Sequence, residues 1–238
     1  MILLLGENDD ALLYFKVRFG ASKAATYPYG VAYRGKIGNE EFILASLPQS
    51  NFASLLLTDK LISEFSPYMA IHIGSIVSFD PTLHQGDFLI PDRIYGYGAD
   101  FSGDGVNIYG QVPGFPPFFT MNTSLNNQLS TCVYDAGNHY VKRGFLLSGE
   151  ELLSTQEQFE TLKHDHFAAN LRLEGADNTS LGVAMSCYLN KVTLLSLLVV
   201  GNEIGKPEQT LLRKRTLLNA VPSLGKSIDR LIIELERT

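Results

Sequence analysis

The chain has 238 residues, 45% of them hydrophobic, and a formal charge of −6 with its basic residues scattered along its length. That is enough apolar matter for one sizeable core, and residues 1–238 are expected to form one domain. The scattered positive charge argues against a nucleic-acid groove or an anionic membrane surface as the main partner and leaves a small molecule or another protein. Cys132 and Cys187 lie far apart with no CxxC spacing, so neither a zinc site nor a disulfide framework is indicated, and a reduced cytoplasm is the expected compartment. No apolar run approaches the ~20 residues of a membrane span. No metal or cofactor is expected.

The opening MILLLG is shorter than a signal's apolar region, lacks preceding positive charge and is followed by Glu7, Asp9 and Asp10, so it reads as a first strand. Asp9 to Arg18 has helical spacing, with acids at its start where the helix dipole favours them. Val31–Arg34 and Glu41–Ser46 read as a hairpin, and Asn51–Phe65 as a helix stopped before Pro67. Strands follow at 69–73 and 87–95. The Gly-, Pro- and aromatic-rich stretch 96–120 then reads as a long loop, functional or at an interface. Asn122–Ala136 is a helix closed by Gly137, and 140–147 a strand. The remaining pattern is helix 156–164, strand 167–173, helix 179–189, strand 193–200 and two helical segments broken near Pro222. Strands alternating with helices at this spacing predict an α/β fold, a central mixed, largely parallel sheet flanked by helices.

In such sheets ligands bind just beyond the carboxyl ends of the strands. Gly74-Ser75, Glu174, Asn202-Glu203 and the acids after the first strand lie at such ends. Glu174 reads in two ways, as a carboxylate that accepts two hydrogen bonds from a ribose diol or as an acid opening the next helix. His164-Asp165-His166 reads as a solvated charged turn rather than a metal pair, because i and i+2 residues share no helical face.

The order YMAIHIGSIVSFDPTLHQGDFLIPD at 68–92 resembles the middle of the nucleoside phosphorylase/nucleosidase superfamily, and within it the methylthioadenosine/S-adenosylhomocysteine nucleosidases and futalosine hydrolases. Arg143–Glu150 is similar to the family's Arg-Gly-x-x-x-Ser-Gly-Asp, Arg172-Leu173-Glu174 to its Glu-Met-Glu, and Gly110–Pro116 to its Gln-x-Pro-Gly-x-Pro loop. The resemblance implies that Glu174 binds the ribose hydroxyls and that Leu173, Ser75, Ile76, Leu152 and Leu153 line the nucleoside pocket. Leu152 stands where the family has a phenylalanine that stacks on the base, with Phe115, Phe118 or Phe119 available to compensate. Pro113 lies on the loop that, in the family's nucleosidases, reaches into a neighbouring subunit's 5′-substituent pocket, which implies a homodimer.

Where the family has a Ser-Asp whose aspartate protonates the leaving purine, this chain has Gly201-Asn202. The Asn202 amide is expected to stabilise the leaving base by donating a hydrogen bond, with Glu203 as an adjacent source of a proton. Aligned without gaps, the family's water-activating glutamate falls on Ala11, so Asp9 or Asp10 is expected to stand in. Acids after the first strand would repel phosphate and favour hydrolysis. The expected function is a hydrolase of the N-ribosyl bond of a 5′-substituted purine nucleoside. Futalosine or aminofutalosine, from menaquinone biosynthesis, are the favoured substrates, and methylthioadenosine or S-adenosylhomocysteine come second. A catalytically silent nucleoside-binding relative and a phosphate-dependent phosphorylase are the alternatives.

Overall fold

The structure, a computed structural model, describes residues 1–136, 139–206 and 210–235. The chain runs β1 (Ile2–Gly6), α1 (Leu13–Arg18), β2 (Ser22–Tyr27), β3 (Gly30–Ile37), β4 (Glu40–Ser46), α2 (Asn51–Phe65), β5 (Met69–Ser78) and β6 (Phe88–Gly96). A 3-10 turn at Ser102–Asp104 and β7 (Phe119–Thr120) follow. The chain continues through α3 (Thr123–Ala136), β8 (Val141–Ser148), α4 (Gln156–His166), β9 (Gly175–Asp177), α5 (Ser180–Asn190), β10 (Thr193–Glu203) and α6 (Thr210–Leu235).

All five residues of β1 are buried because it lies between β4 and β5, parallel to both, with helices over each face. Successive residues point to opposite layers. Ile2 and Leu4 join Ile71, Leu195 and Leu197 beneath α1, α3 and α6, whereas Leu3 and Leu5 join Ala70, Leu194 and Leu198 beneath α2 and α5. The sheet order is β10-β6-β8-β9-β5-β1-β4-β3-β2, and β5 also pairs with β10, so β5, β10, β6, β8 and β9 close into a ring from which β1, β4, β3 and β2 extend, while the short β7 pairs with β6. The long ladders, β5 with β10 and β6 with β8, are parallel, while the β2–β3–β4 arm is antiparallel.

Several elements depart from the pattern read in the sequence. Residues 9–12 form a tight turn, with Leu12 N–H on the Asp9 carbonyl and Ala11 N–H on Asn8 Oδ1, so α1 begins only at Leu13. The edge strand β2, half exposed and poor in apolar residues, has no periodic signal. Residues 167–173 are not a strand: Phe167 and Leu171 pack against the Tyr95, Leu147 and Leu153 cluster without a ladder, and the strand is β9, which begins after Glu174. Helix α6 runs through Pro222 unbroken. Proline in a helix interior costs ~3 kcal/mol. The buried stripe Leu217, Ala220, Val221, Leu224, Ile228 and Leu231 outweighs it, since each large apolar side chain removed from water contributes about 1.5–3 kcal/mol. The expected helix stop at Gly137 lies outside the described residues.

Candidate active site

At the carboxyl end of β1 the chain leaves the sheet at Glu7, whose side chain turns inward and is 5% exposed. The parallel register sets Gly6 beside Ile73, so Glu7 arrives beside Gly74 and Ser75, where β1 stops and β5 runs on to Ser78. There its Oε2 accepts the backbone N–H and the hydroxyl of Ser75, both at 2.5 Å. Oε1 accepts Gln49 Nε2 at 2.9 Å and pairs with the Arg213 guanidinium at 3.3 Å. Arg213 comes from the first turns of α6 and is fixed independently: Nε donates to Ser75 Oγ at 2.6 Å and Nη2 to the Ser75 carbonyl at 3.3 Å. Its stem lies on β10 at Gly201, where a Cβ would stand 2.7 Å from Arg213 Cγ. A buried carboxylate, a hydroxyl, an amide and a guanidinium therefore meet at one strand end, each satisfied by another.

This cluster floors a cleft of about 340 Å³ lined by Glu7, Asn8, Asp10, Gln49, Leu152 and Asn178, with Arg213, Lys214 and Leu217 from α6. A narrow pocket of about 10 Å³ continues from it between Val77, Tyr97, Leu152, Leu153 and Asp177. Arg213, Leu152 and Asn178 border both spaces. Behind them Asp177 caps α5, accepting the N–H of Ser180 at 3.2 Å and its hydroxyl at 2.5 Å. His72, wholly buried in β5, lies 3.3 Å from both the Ser180 and the Thr179 hydroxyls. Burial holds its imidazole below the ordinary histidine value, against the opposing pull of Asp177 and Glu7, so it is neutral at pH 7.

The structure places Ser75 beneath the cleft, bonded to Glu7 and Arg213, Leu152 on both spaces and Leu153 on the inner one alone. It also brings Asp10 to the rim, but there Asp10 pairs with Lys214 at 2.9 Å. Asp9 is exposed and pairs with Lys16 at 2.8 Å. The acid that reaches the interior is Glu7, one residue beyond the strand, because the turn at 9–12 carries the next two acids outward. Glu174 precedes β9 instead of following a strand, so it lies at the opposite end of β9 from Asn178, about 13 Å away at ~3.3 Å per residue. Its carboxylate accepts the Phe145 N–H at 2.7 Å and faces Lys142 at 3.9 Å, and burial raises its pKa.

Leu173 packs in the Tyr95 and Phe159 cluster, and Ile76 is fully buried beneath α2 and α5, so neither lines the cleft. Asn202 follows a bulge in β10, opposite Val77, half-buried, and among the described residues no hydrogen bond engages its amide. Glu203 is held below the ordinary carboxylate range by its bond with Lys206, 2.7 Å away. It is therefore ionised at neutral pH and has no proton to give. Pro113 is exposed on the 96–120 loop, whose Val112 and Phe115 pack on the α2/α5 layer. His164 is exposed at the end of α4, hydrogen-bonded to Asp165. Among the described residues no group of three or more His, Cys, Asp or Glu side chains is placed to hold a metal ion, and no helix is long and apolar enough to cross a membrane.

A closed ring of strands flanked by helices, and a polar cleft at the carboxyl end of β1, define an α/β protein with a cleft where such sheets bind small molecules. The chain belongs to the phosphorylase superfamily, whose family model matches residues 12–233. It is 26% identical over 195 residues to the 5′-methylthioadenosine/S-adenosylhomocysteine nucleosidase of Staphylococcus carnosus, covering 82% of this chain and 83% of that one. Its fold is that of the same-named nucleosidase of Neisseria meningitidis in complex with methylthio-immucillin-A, at a TM-score of 0.86, 17% identity and 97% coverage of both chains. The fold also matches the futalosine hydrolase of Helicobacter pylori, at a TM-score of 0.85 and 19% identity, covering 98% of this chain and 97% of that one.

Proposed function

We propose that the chain hydrolyses the N-ribosyl bond of a 5′-substituted purine nucleoside. The observation that carries this reading is the buried Glu7 carboxylate, held by Ser75 and Arg213 at the floor of a cleft in a chain whose superfamily contains nucleosidases. Glu7, in place of Asp9 or Asp10, exchanges its Gln49 bond for the attacking water and positions it as positive charge develops on the sugar. A well-placed acid or base of this kind contributes about 10²–10⁴-fold. Asn202 donates its amide hydrogen to the leaving purine, which an amide does without supplying a proton. Asn178, whose Nδ2 is engaged by the Gln49 carbonyl at 3.1 Å, offers its oxygen to the ribose hydroxyls in place of Glu174. Leu152 supplies apolar surface to the base.

Asparagine presents both a donor and an acceptor and so suits a 6-oxo as well as a 6-amino purine. That favours futalosine or aminofutalosine, with methylthioadenosine and S-adenosylhomocysteine second. A homodimer is part of the proposal: Phe52 and Leu56 of α2 and Tyr188 and Leu189 of α5 are all more than half exposed on adjacent helices, beside the 96–120 loop that carries Pro113. One observation favours a second reading, a nucleoside-binding protein without turnover, namely the Arg213 side chain between the outer cleft and the narrow inner pocket.

The test is release of free base in phosphate-free buffer from futalosine, aminofutalosine, methylthioadenosine and S-adenosylhomocysteine. Hypoxanthine or adenine from the wild type, lost about 100-fold or more in Glu7→Gln and kept in Glu174→Gln, is the expected outcome. Tight nucleoside binding with no base released selects the second reading. Release that requires phosphate defeats both.

A further inference from the structure

His72 lies within β5, wholly buried between Leu5 of β1 and Ser196 of β10, which flank it in register, and it borders neither the cleft nor the inner pocket. Its ring nevertheless reaches the turn that joins β9 to α5. Nδ1 is 3.3 Å from Ser180 Oγ and Nε2 is 3.3 Å from Thr179 Oγ1. These partners fix where the ring proton is. The Ser180 hydroxyl gives its one hydrogen to Asp177 Oδ2 at 2.5 Å, so its oxygen accepts from Nδ1–H. The neutral ring carries a single proton, which leaves Nε2 as the acceptor of the Thr179 hydroxyl.

This chain of bonds ends at the site. Asp177 Oδ2 takes the Ser180 hydroxyl, while Oδ1 takes the N–H groups of Thr179 and Ser180 at 3.4 and 3.2 Å, folding residues 177–180 into a turn with Asn178 at its corner. Asp177 and Asn178 both line the inner pocket. The Asn178 Nδ2 is taken by the Gln49 carbonyl, so its amide oxygen is the group left for a ligand. The direction of the Asp177 carboxylate decides where that corner stands, and Ser180, backed by His72, sets the direction.

We propose that His72 is a positioning residue for the ribose contact: through Nδ1–H, Ser180 and Asp177 it fixes the turn that presents Asn178 to the sugar. The proposal rests on the nucleoside reading above, in which Asn178 meets the ribose hydroxyls.

The experiment compares His72→Asn with His72→Gln. The asparagine amide nitrogen takes the place of Nδ1 and keeps the donor to Ser180, whereas the glutamine amide takes the place of Nε2 and keeps only the partner of Thr179. Glutamine is nearer to histidine in size, so a role in filling space favours glutamine and a role in orienting Asp177 favours asparagine. Ser180→Ala, which leaves the ring in place, breaks the same chain at a second point, and circular dichroism checks folding. The KM of futalosine, aminofutalosine, methylthioadenosine and S-adenosylhomocysteine is measured, or the dissociation constant where a nucleoside is bound and not cleaved. Adenine and hypoxanthine serve as probes without ribose. Expected in His72→Gln and Ser180→Ala is nucleoside binding weaker by about tenfold, the weight of one hydrogen bond. The free bases bind as before, kcat is little changed because the contact is made in ground and transition states alike, and His72→Asn stays near the wild type. Nitrogen NMR of the wild type places the ring proton on Nδ1. A glutamine variant that binds nucleoside as tightly as the wild type, an asparagine variant weaker than the glutamine one, equal losses for nucleoside and free base, or a proton on Nε2 each overturn the proposal and leave the nucleoside reading standing. A wild type that binds neither nucleoside nor base overturns both.

Discussion

Replacing Glu7 by glutamine keeps the shape of the side chain and removes its charge, so the change in stability reads the electrostatic share of the cluster. With the amide oxygen toward Ser75, both Ser75 bonds survive but lose their charge assistance, a loss of about 0.5–1.5 kcal/mol for the pair given that charge-assisted bonds are roughly twice as strong as neutral ones. The new NH₂ then faces Gln49 and Arg213. Gln49 can turn its own amide over and present oxygen, restoring one bond. Arg213 cannot, because a guanidinium only donates, and the lost bond to a charged partner is worth about 1.5–3 kcal/mol. The two losses together come to about 2–4.5 kcal/mol. At about 2–4 °C per kcal/mol for a chain of this size, the melting temperature falls by about 4–18 °C. Urea unfolding at pH 7.5 measures it, with an unchanged slope showing that the two-state transition is intact. A loss below about 1 kcal/mol would refute the reasoning, since it would mean that the carboxylate is not held as an ion by these four donors.

Four further outcomes are expected. In Gly182→Ala the new Cβ on α5 would press against the Asn51 carbonyl of α2 and stand 2.9 Å from Leu55 N. A helix-propensity gain of about 1 kcal/mol is then outweighed by overpacking of up to about 3 kcal/mol or more, and chemical denaturation shows a net loss. Gly103→Ala, with no atom within 4 Å of the added carbon, changes stability by less than ~0.5 kcal/mol. Burial raises the Asp80 carboxyl, but bonds from Lys142 and Thr82 outweigh it and leave it below its ordinary value. Its stabilising contribution is therefore present above the unfolded carboxylate value of ~4 and is lost as pH falls through the lower folded one. Lys142→Met is accordingly less stable than the wild type at pH 7, and the gap closes on acidification, Glu174 acting in the same direction because it too faces Lys142. Denaturation at pH 7 and pH 3 checks this, and an equal gap at both would contradict it. Finally, burial pushes the thiols of Cys132 and Cys187 up to about 12, Glu234 adding to the effect at Cys132. Ellman's reagent should leave both untouched in the native protein and label both in urea.

Amino-acid order alone was enough for the sheet's buried strands, for α2 and for the kinship. MILLLG, MAIHI and TLLSLLVV are apolar on both faces, and such runs have one stable environment, the middle of a sheet covered on both sides. Asn51–Phe65 is bounded by a serine cap and a proline, signals that act within a few residues.

Which acid enters the site was not legible. Glu7, Asp9 and Asp10 are chemically near-equivalent and adjacent, and only the tight turn at 9–12 sends one inward and two out to Lys16 and Lys214. Glu174 was misplaced for a related reason. A three-residue strand carries no periodicity, so the apolar residues of 167–173 read as the strand and moved the carboxylate to the wrong end of it. Arg213 had no signal at all. It is one of several cations on an amphipathic helix, 138 positions from Ser75, and its role exists only because α6 packs across β10 where Gly201 leaves room for its stem. Local sequence determines what a segment is, whereas the partner of a charge comes from elsewhere in the chain and is chosen by packing.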